Sequence, residues 1–189
     1  MRDQGLYKKQ AKRIGRWIND YTDQEHRGIV LTTSNLKVAK LREHLKPELK
    51  AGRSVFSQAE RGMGLQERID TFVSNSDSGV VHVDTIQGWG TGVDLRGDIA
   101  RYSVVAGVPL PNPTDRFDQL RFETPSGKAY AYAYAYNSVM QATGRVTRGE
   151  QDDDGVYLTN TAALADMMAT SPLAMRFYSG WFKEAIIKA

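Results

Sequence analysis

The sequence predicts an α/β fold in which helices flank both faces of a mostly parallel β-sheet. Short apolar runs alternate with segments of helical periodicity, a pattern typical of parallel strands joined by crossover helices. Polar residues follow these runs at Ser34, Gln58 and Thr85, the positions where a parallel sheet binds its ligands. A chain of 189 residues is long enough for one domain with a full core, and we take it as a single domain.

The first element is an amphipathic helix, predicted over about residues 4–22. Its apolar positions follow the i, i+3, i+4, i+7 spacing, and they are Ile14, Trp17, Ile18 and Tyr21. The opposite face is basic and consists of Lys8, Lys9, Lys12, Arg13 and Arg16. Two interpretations of this face are open, a solvated surface and a contact surface for DNA.

Five strands are predicted, at 28–33, 54–58, 79–84, 102–108 and 155–159. Ser34 or Asn35 caps the helix after the first strand. The apolar side of that helix consists of Val38, Leu41 and Leu45. A second crossover helix carries Leu65, Ile69, Phe72 and Val73. Two further helices are predicted over about residues 162–188.

The composition is that of an ordinary globular protein, with 41% apolar and 25% charged residues. No apolar run approaches the roughly 20 residues of a membrane helix, and the N-terminus has no signal-peptide core. We therefore expect a cytoplasmic protein without a membrane partner. The net charge of +3 permits nucleic-acid binding without indicating it. The chain has no cysteine and its histidines are isolated in sequence, so no metal site is predicted.

Residues 141–148 carry the clearest chemical signal. Arg145 and Arg148 stand three residues apart after Gly144, and Gln141 precedes the first arginine by four residues. On a helix start, this spacing points both guanidinium groups the same way. Two permanently charged, bidentate groups suit the oxygens of a triphosphate during phosphoryl transfer. A solvated basic turn is the alternative.

Four blocks occur in the order found in one group of helicases. They are Ile29-Val-Leu-Thr-Thr-Ser34, Trp89-Gly-Thr-Gly-Val-Asp94-Leu-Arg-Gly97, Val108-Pro-Leu-Pro-Asn-Pro-Thr-Asp115 and Gln-x-x-Gly-Arg-x-x-Arg at 141–148. Over about residues 28–160 the chain resembles the second, C-terminal RecA-like domain of superfamily 2 helicases of the DinG/XPD group. The resemblance implies a RecA-like fold, an ATP-dependent DNA helicase and a role in DNA repair. It also implies a helix over 127–136, although alanine and tyrosine alternate there with the period of a strand.

The resemblance assigns nucleotide contacts. In these helicases ATP lies between two RecA-like domains, and the first domain holds most of the Mg²⁺ ligands. By resemblance, Arg145 and Arg148 meet the γ-phosphate, and Gln141 orders the attacking water or its loop. The remaining nucleotide contacts expected are Gly92, Asp94 and Gly144.

The predicted nucleic-acid contacts are Thr33, Ser34, Asn35, Gln58, Thr85 and Gln87. The first three place hydroxyl and amide groups beside a helix N-terminus, where they bind phosphate, cap the helix, or do both. The other three match positions at which the family touches the DNA backbone. Trp89 either stacks on a base or packs under its own loop.

Two segments resemble parts of an ATP site but lack its essential residues. Ser126-Gly127-Lys128 has Phe122 and Ala129 where a phosphate-binding loop needs a glycine and a serine or threonine. The tetrapeptide 23–26 follows a polar helix end and has Gln24 in place of the second carboxylate of a magnesium box. We therefore expect a first RecA-like domain to complete the ATP site, and the isolated chain to be inactive.

The sequence thus predicts the C-terminal motor domain of an ATP-dependent DNA helicase, with single-stranded DNA and a first RecA-like domain as partners. Two alternatives are open. One is an RNA-directed superfamily 2 helicase, and the other is a non-catalytic RecA-like module that binds nucleic acid or protein. The residue before Gly92 is Thr91, where the group usually has an acidic residue, and this departure leaves the coupling role of that loop open.

Overall fold

The computed structural model describes residues 2–57, 62–75, 77–89, 93, 95, 99–144, 146 and 156–159. Its helices are α1 (Arg2–Tyr21), α2 (Asn35–Leu45), α3 (Leu65–Ser74), α4 (Ile86–Trp89), α5 (Arg116–Phe122) and α6 (Gly127–Thr143). Its strands are β1 (Gly28–Thr32), β2 (Ser54–Phe56), β3 (Val80–Thr85), β4 (Tyr102–Val105) and β5 (Val156–Thr159).

The five strands form one sheet in the order β2-β3-β1-β4-β5, and every neighbouring pair is parallel. Strand β1 lies in the middle, with Gly28 opposite Val81 of β3 on one side and opposite Tyr102 of β4 on the other. The arrangement is the α/β, RecA-like sheet predicted from the alternation of strands and helices. The fold prediction is confirmed.

Helices cover both faces of the sheet, and the two faces hold separate hydrophobic clusters. Val30 points to the face covered by α1 and α2, whereas its neighbours Ile29 and Leu31 point to the face covered by α3, α4 and α6. All three side chains are fully buried. The sheet therefore lies in the centre of the domain, as the continuous apolar character of β1 requires.

Helix α1 confirms most of its predicted pattern. Ile14 and Ile18 are fully buried and Trp17 is half-buried. The prediction for Tyr21 was wrong, because this side chain ends the helix and is 59% exposed. All five basic residues of the opposite face are exposed.

Helix α6 confirms the helix expected over 127–136. Its buried side chains follow helical spacing, as Ala131, Ala135, Val139 and Ala142 lie on one face. The strand-like alternation is thus a consequence of composition and not of pairing. Because α6 ends at Thr143, the 141–148 stretch begins at the C-terminal end of a helix. The sequence had indicated a helix start there instead.

Two short helices, α4 and α5, were not predicted, and β2 and β4 are shorter than expected. The helices expected over 162–188 lie outside the described residues. In the part of the chain that the structure describes, no helix is both long and apolar enough to span a membrane.

Gly28 provides a test of the packing between β1 and β4. A Cβ atom at this position would overlap the buried ring of Tyr102, so Gly28→Ala should destabilise the protein by about 1–3 kcal/mol. Gly5→Ala is the control, since the space around Gly5 in α1 is open and alanine should stabilise that helix by up to about 1 kcal/mol. Urea unfolding measures both changes. A Gly28→Ala variant as stable as the wild type would contradict this packing.

Candidate functional site

Three adjacent strands end together at one edge of the sheet, here called the carboxyl edge. Thr32 is opposite Thr85 in the register of β1 and β3. The amide of Ala106, just beyond β4, donates to the carbonyl of Leu31 at 2.8 Å. The polar residues that follow β1 and β3 are therefore close neighbours, as expected for a parallel sheet.

The start of α2 combines several groups that can bind an anion. Ser34 is the N-cap, and its Oγ accepts from the amide of Lys37 at 3.4 Å. The ammonium group of Lys37 donates to Oγ1 of Thr33 at 2.6 Å. A free helix N-terminus, two hydroxyl groups and an ammonium group thus lie within one helical turn.

Lys37 was missed in the sequence. A signal was present, because a lysine three residues after a serine N-cap, directly behind a buried strand, is placed to meet the same ligand as the cap. The exposed Asn35 lies at the first position of α2.

A cleft of about 360 Å³ opens at the carboxyl edge. It is lined by Thr33, Ile86, Gln87, Val108, Pro109, Leu110, Pro111, Asn112 and Pro113. It therefore joins two of the four sequence blocks, those at 29–34 and 108–115, and it includes Thr33 and Gln87 from the predicted nucleic-acid contacts. Gly107 lies against Thr33 at the base of this region, where a Cβ atom would approach Thr33 Cγ2 to 3.0 Å.

The proline-rich wall of the cleft is held by local hydrogen bonds. Oδ1 of Asn112 accepts from the amide of Thr114 at 3.0 Å. Asp115 caps α5 by accepting from the amides of Phe117 and Asp118, at 2.9 Å and 3.1 Å. Tyr130 of α6 donates its hydroxyl to Asp118 at 2.8 Å. These contacts fasten the wall to α5 and, through α5, to α6.

Behind the carboxyl edge lies a buried carboxylate, Asp84, at the end of β3. Its Oδ1 accepts from the amide of Thr85 at 2.6 Å and from Nη1 of Arg68 at 3.1 Å. Its Oδ2 accepts from Nε1 of Trp89 at 2.8 Å and lies 3.4 Å from Nε2 of His82. We call these five residues the Asp84 cluster. It connects the end of β3 with α3 and α4.

The electrostatics of this cluster follow from burial. Burial lowers the pKa of His82 against the opposing effect of Asp84, so the imidazole is neutral and its Nε2–H faces the carboxylate. Burial alone would raise the pKa of Asp84, but the hydrogen bonds from His82 and the Thr85 amide, together with the positive charge of Arg68, hold it below its ordinary value. Asp84 is therefore ionised and paired.

The cluster bears on two residues interpreted from the sequence. Of the two interpretations of Trp89, base stacking is excluded because the side chain is fully buried. His82 is isolated in sequence but not in space, since it contacts Asp84 and lies with its ring centroid 4.5 Å from that of Trp89. Among the described residues there is no group of three or more side chains suited to hold a metal ion.

Of the predicted nucleotide contacts, the structure describes Gln141 and Gly144, and both lie at the end of α6. Gln141 is exposed in the last turn of α6, and the amide of Gly144 donates to the carbonyl of Met140 at 2.9 Å. Val93 and Val146 are buried in the same hydrophobic cluster.

Five predicted site residues lie outside the described residues. They are Gln58, Gly92, Asp94, Arg145 and Arg148. Their assignments stay predictions.

The family model of the helicase C-terminal domain matches residues 18–168. The chain belongs to this family, within the DinG/XPD-like group. It is a helicase motor domain. No curated protein matches the sequence. In this helicase domain, the carboxyl-edge cleft and the end of α6 are the two places where predicted site residues gather.

The buried His82 predicts that this helicase domain loses stability in mild acid. Its folded pKa lies below the ordinary 6.5, so the unfolded chain binds a proton first as the pH falls below about 6.5. The free energy of unfolding should then drop by up to about 1.4 kcal/mol per pH unit, until the folded histidine also titrates. Asp84, whose pKa is lowered, adds a second loss only below its ordinary value of 3.8.

Chemical unfolding between pH 8 and pH 4 tests this. His82→Gln keeps a donor for Asp84 but removes the titrating group, so the loss between about pH 6.5 and pH 4 should flatten. The wild type, measured in parallel, is the reference. An unchanged slope in His82→Gln would show that another group causes the acid sensitivity.

Proposed function

We propose that the chain is the second motor domain of an ATP-dependent DNA helicase, which binds single-stranded DNA at its carboxyl edge and completes an ATP site with Arg145 and Arg148. The observation that carries this proposal is the carboxyl-edge cleft, because it brings Thr33 and Gln87 together with the proline-rich block. Family membership supports the motor role.

The donors at the cleft suit a phosphate backbone. Thr33 lines the cleft with its hydroxyl group, and beside it the start of α2 adds the Ser34 hydroxyl, the helix N-terminus and the positive charge of Lys37. None of the lining residues is acidic. Most protein–DNA hydrogen bonds go to phosphate and sugar, and such contacts hold a strand without reading its sequence.

The apolar wall of the cleft suits the bases. Leu110 is 51% exposed and is flanked in the lining by Pro109 and Pro111. An apolar surface opposite a row of phosphate-binding groups accommodates one strand, whose bases and backbone face different ways. In a duplex the bases are stacked inside the double helix, where this apolar wall would not contact them.

The proposed ATP site is supported by family membership and by the exposed Gln141 at the end of α6. ATP with Mg²⁺ supplies the phosphoryl group, and a first RecA-like domain supplies the phosphate loop and most of the magnesium ligands. In this arrangement Arg145 and Arg148 stabilise negative charge on the transferring group, and Gln141 orients the attacking water or its loop. Gly92 and Gly144 bring the backbone close to the nucleotide, and Asp94 contacts the ribose or the 141–148 block.

A double variant at the start of α2 tests the DNA site. Thr33→Val keeps the side-chain shape without the hydroxyl, and Lys37→Gln removes the charge. Losing a hydrogen bond to a charged phosphate, worth about 1.5–3 kcal/mol, should weaken binding of a labelled single-stranded oligonucleotide roughly ten- to hundredfold. The salt dependence should also become shallower.

The control for that measurement is Lys40→Gln, one turn further along α2, where the lysine pairs with Glu43 at 3.6 Å. It should leave affinity unchanged. Equal affinities of the double variant and the control would refute the site. Tighter binding of the matching RNA oligonucleotide would favour an RNA-directed helicase.

Substitution of the two arginines tests the ATP site in the complete two-domain enzyme. An arginine finger contributes roughly 10³–10⁵ in rate, so Arg145→Ala and Arg148→Ala should abolish most ATP turnover without unfolding the domain. Arg148→Lys should stay impaired because lysine keeps the charge but loses the planar fork. Phosphate release and thermal unfolding measure the two effects.

The matched control is Arg116→Ala at the exposed start of α5, which should turn over normally. Near-normal turnover of Arg148→Ala would refute the finger role, and a collapse in stability would mark the arginines as structural. The isolated chain should release no phosphate with or without DNA. Robust turnover that Arg145→Ala removes from the isolated chain would contradict a site shared between two domains.

A further inference from the structure

Helix α1 presents a continuous basic surface on the side away from the sheet. It consists of Lys8, Lys9, Lys12, Arg13 and Arg16, all exposed, and we call it the basic strip. At 3.6 residues per turn the five side chains fall within an arc of about 140° and extend over about 12 Å. On the opposite side, Ala11, Ile14 and Ile18 are fully buried.

The charge of the strip is not balanced within the described part of the chain. None of the five cations forms an ion pair with a described carboxylate, and Arg13 instead lies 4.8 Å above the Trp17 ring. Asp20 is the one acidic residue among the described side chains of α1, and it follows the strip. Like charges four residues apart, such as Lys12 and Arg16, repel each other and weaken the helix. The strip therefore indicates an anionic partner.

One hydrogen bond places the N-terminal end of the strip at the carboxyl edge. Nε2 of Gln10 donates to the carbonyl of Ala106 at 3.0 Å. Ala106 follows β4 and bonds through its amide to Leu31 at the end of β1. The N-terminal half of α1 therefore lies at the same edge as Thr33 and the start of α2.

We propose that the basic strip binds the phosphate backbone of the nucleic acid where the strand leaves the carboxyl-edge cleft. This inference rests on the proposed function, because the cleft holds the other part of the strand. The strip adds affinity that is independent of base sequence and falls steeply with salt, since each neutralised phosphate releases counterions.

The packing of α1 favours nucleic acid over an anionic membrane. A helix that lies on a membrane inserts its apolar face between the lipids. Here Ile14 and Ile18 of that face are fully buried against the sheet. The buried core of that face is therefore closed to a membrane, and the charged side suits a partner that presents charge and no apolar interior.

A triple variant of the 189-residue chain tests the strip. Lys9→Gln, Lys12→Gln and Arg16→Gln together remove three positive charges from exposed positions. Its thermal midpoint should equal or exceed that of the wild type, because repulsion along the helix is relieved. A control with Lys40→Gln, Lys46→Gln and Lys128→Gln makes the same change in net charge on other helices and turns.

Affinity is measured over a range of salt concentrations with two labelled oligothymidines, a short one that only fills the cleft and a longer one. For the longer strand, the strip variant should bind at least roughly tenfold more weakly, and its slope of log affinity against log salt should fall by up to about 2. The short strand should bind the strip variant as it binds the wild type. The control variant should match the wild type on both strands.

The outcomes separate this inference from the proposed function. If the strip variant binds the longer strand like the control while Thr33→Val with Lys37→Gln still weakens binding, the strip inference fails and the cleft stands. If only the strip variant weakens binding, the strip binds nucleic acid by itself, and the cleft assignment fails together with the proposed path from the cleft to the strip. Strip-dependent binding to vesicles of anionic phospholipid that exceeds binding to either oligonucleotide would overturn the choice of nucleic acid.

Discussion

The carboxylate of Asp84 fixes the end of the sheet at which the candidate site lies. It is fully buried, and it accepts from the Thr85 amide, from Arg68 of α3 and from Trp89 of α4, with His82 beside it. A buried charge is tolerated only with such partners, and removing the charged one, here Arg68, typically costs about 3–5 kcal/mol. The end of β3 and the helices α3 and α4 therefore keep one arrangement. A large shift of any of them would expose the Asp84 charge or leave it without its hydrogen-bond partners.

Helix α4 connects the Asp84 cluster to the cleft. Ile86 and Gln87 line the cleft, and Trp89 on the same short helix is bonded to Asp84. A four-residue helix has almost no stability of its own, because nucleating a helical turn is unfavourable. Its position depends on the buried indole, which packs edge-on against Phe72 with ring centroids 5.5 Å apart. The geometry of the cleft is thus set by contacts on the far side of α4.

The features that could be predicted from the sequence depend on residues that are close together in the chain. The strand positions, the Ser34 cap and the buried side of α2 follow from periodicity and capping within a few residues. Periodicity failed for α6, whose alanine–tyrosine alternation predicts a strand, and only resemblance indicated the helix. The Asp84 cluster and the position of α4 were missed because they depend on residues brought together by folding, whereas Lys37 was missed although its spacing from the Ser34 cap is local.

Thr33 and Gln87 lie in the carboxyl-edge cleft, whereas Gln141 is exposed in the last turn of α6. A movement at the end of α6 can reach the cleft through packed elements. The contacts of α4 with α6 offer such a route, because Trp89 and Val139 share one core cluster and Trp89 is held by Asp84. A shift at the end of α6 would then be transmitted to the cleft as a movement of α4 against the fixed Asp84 carboxylate.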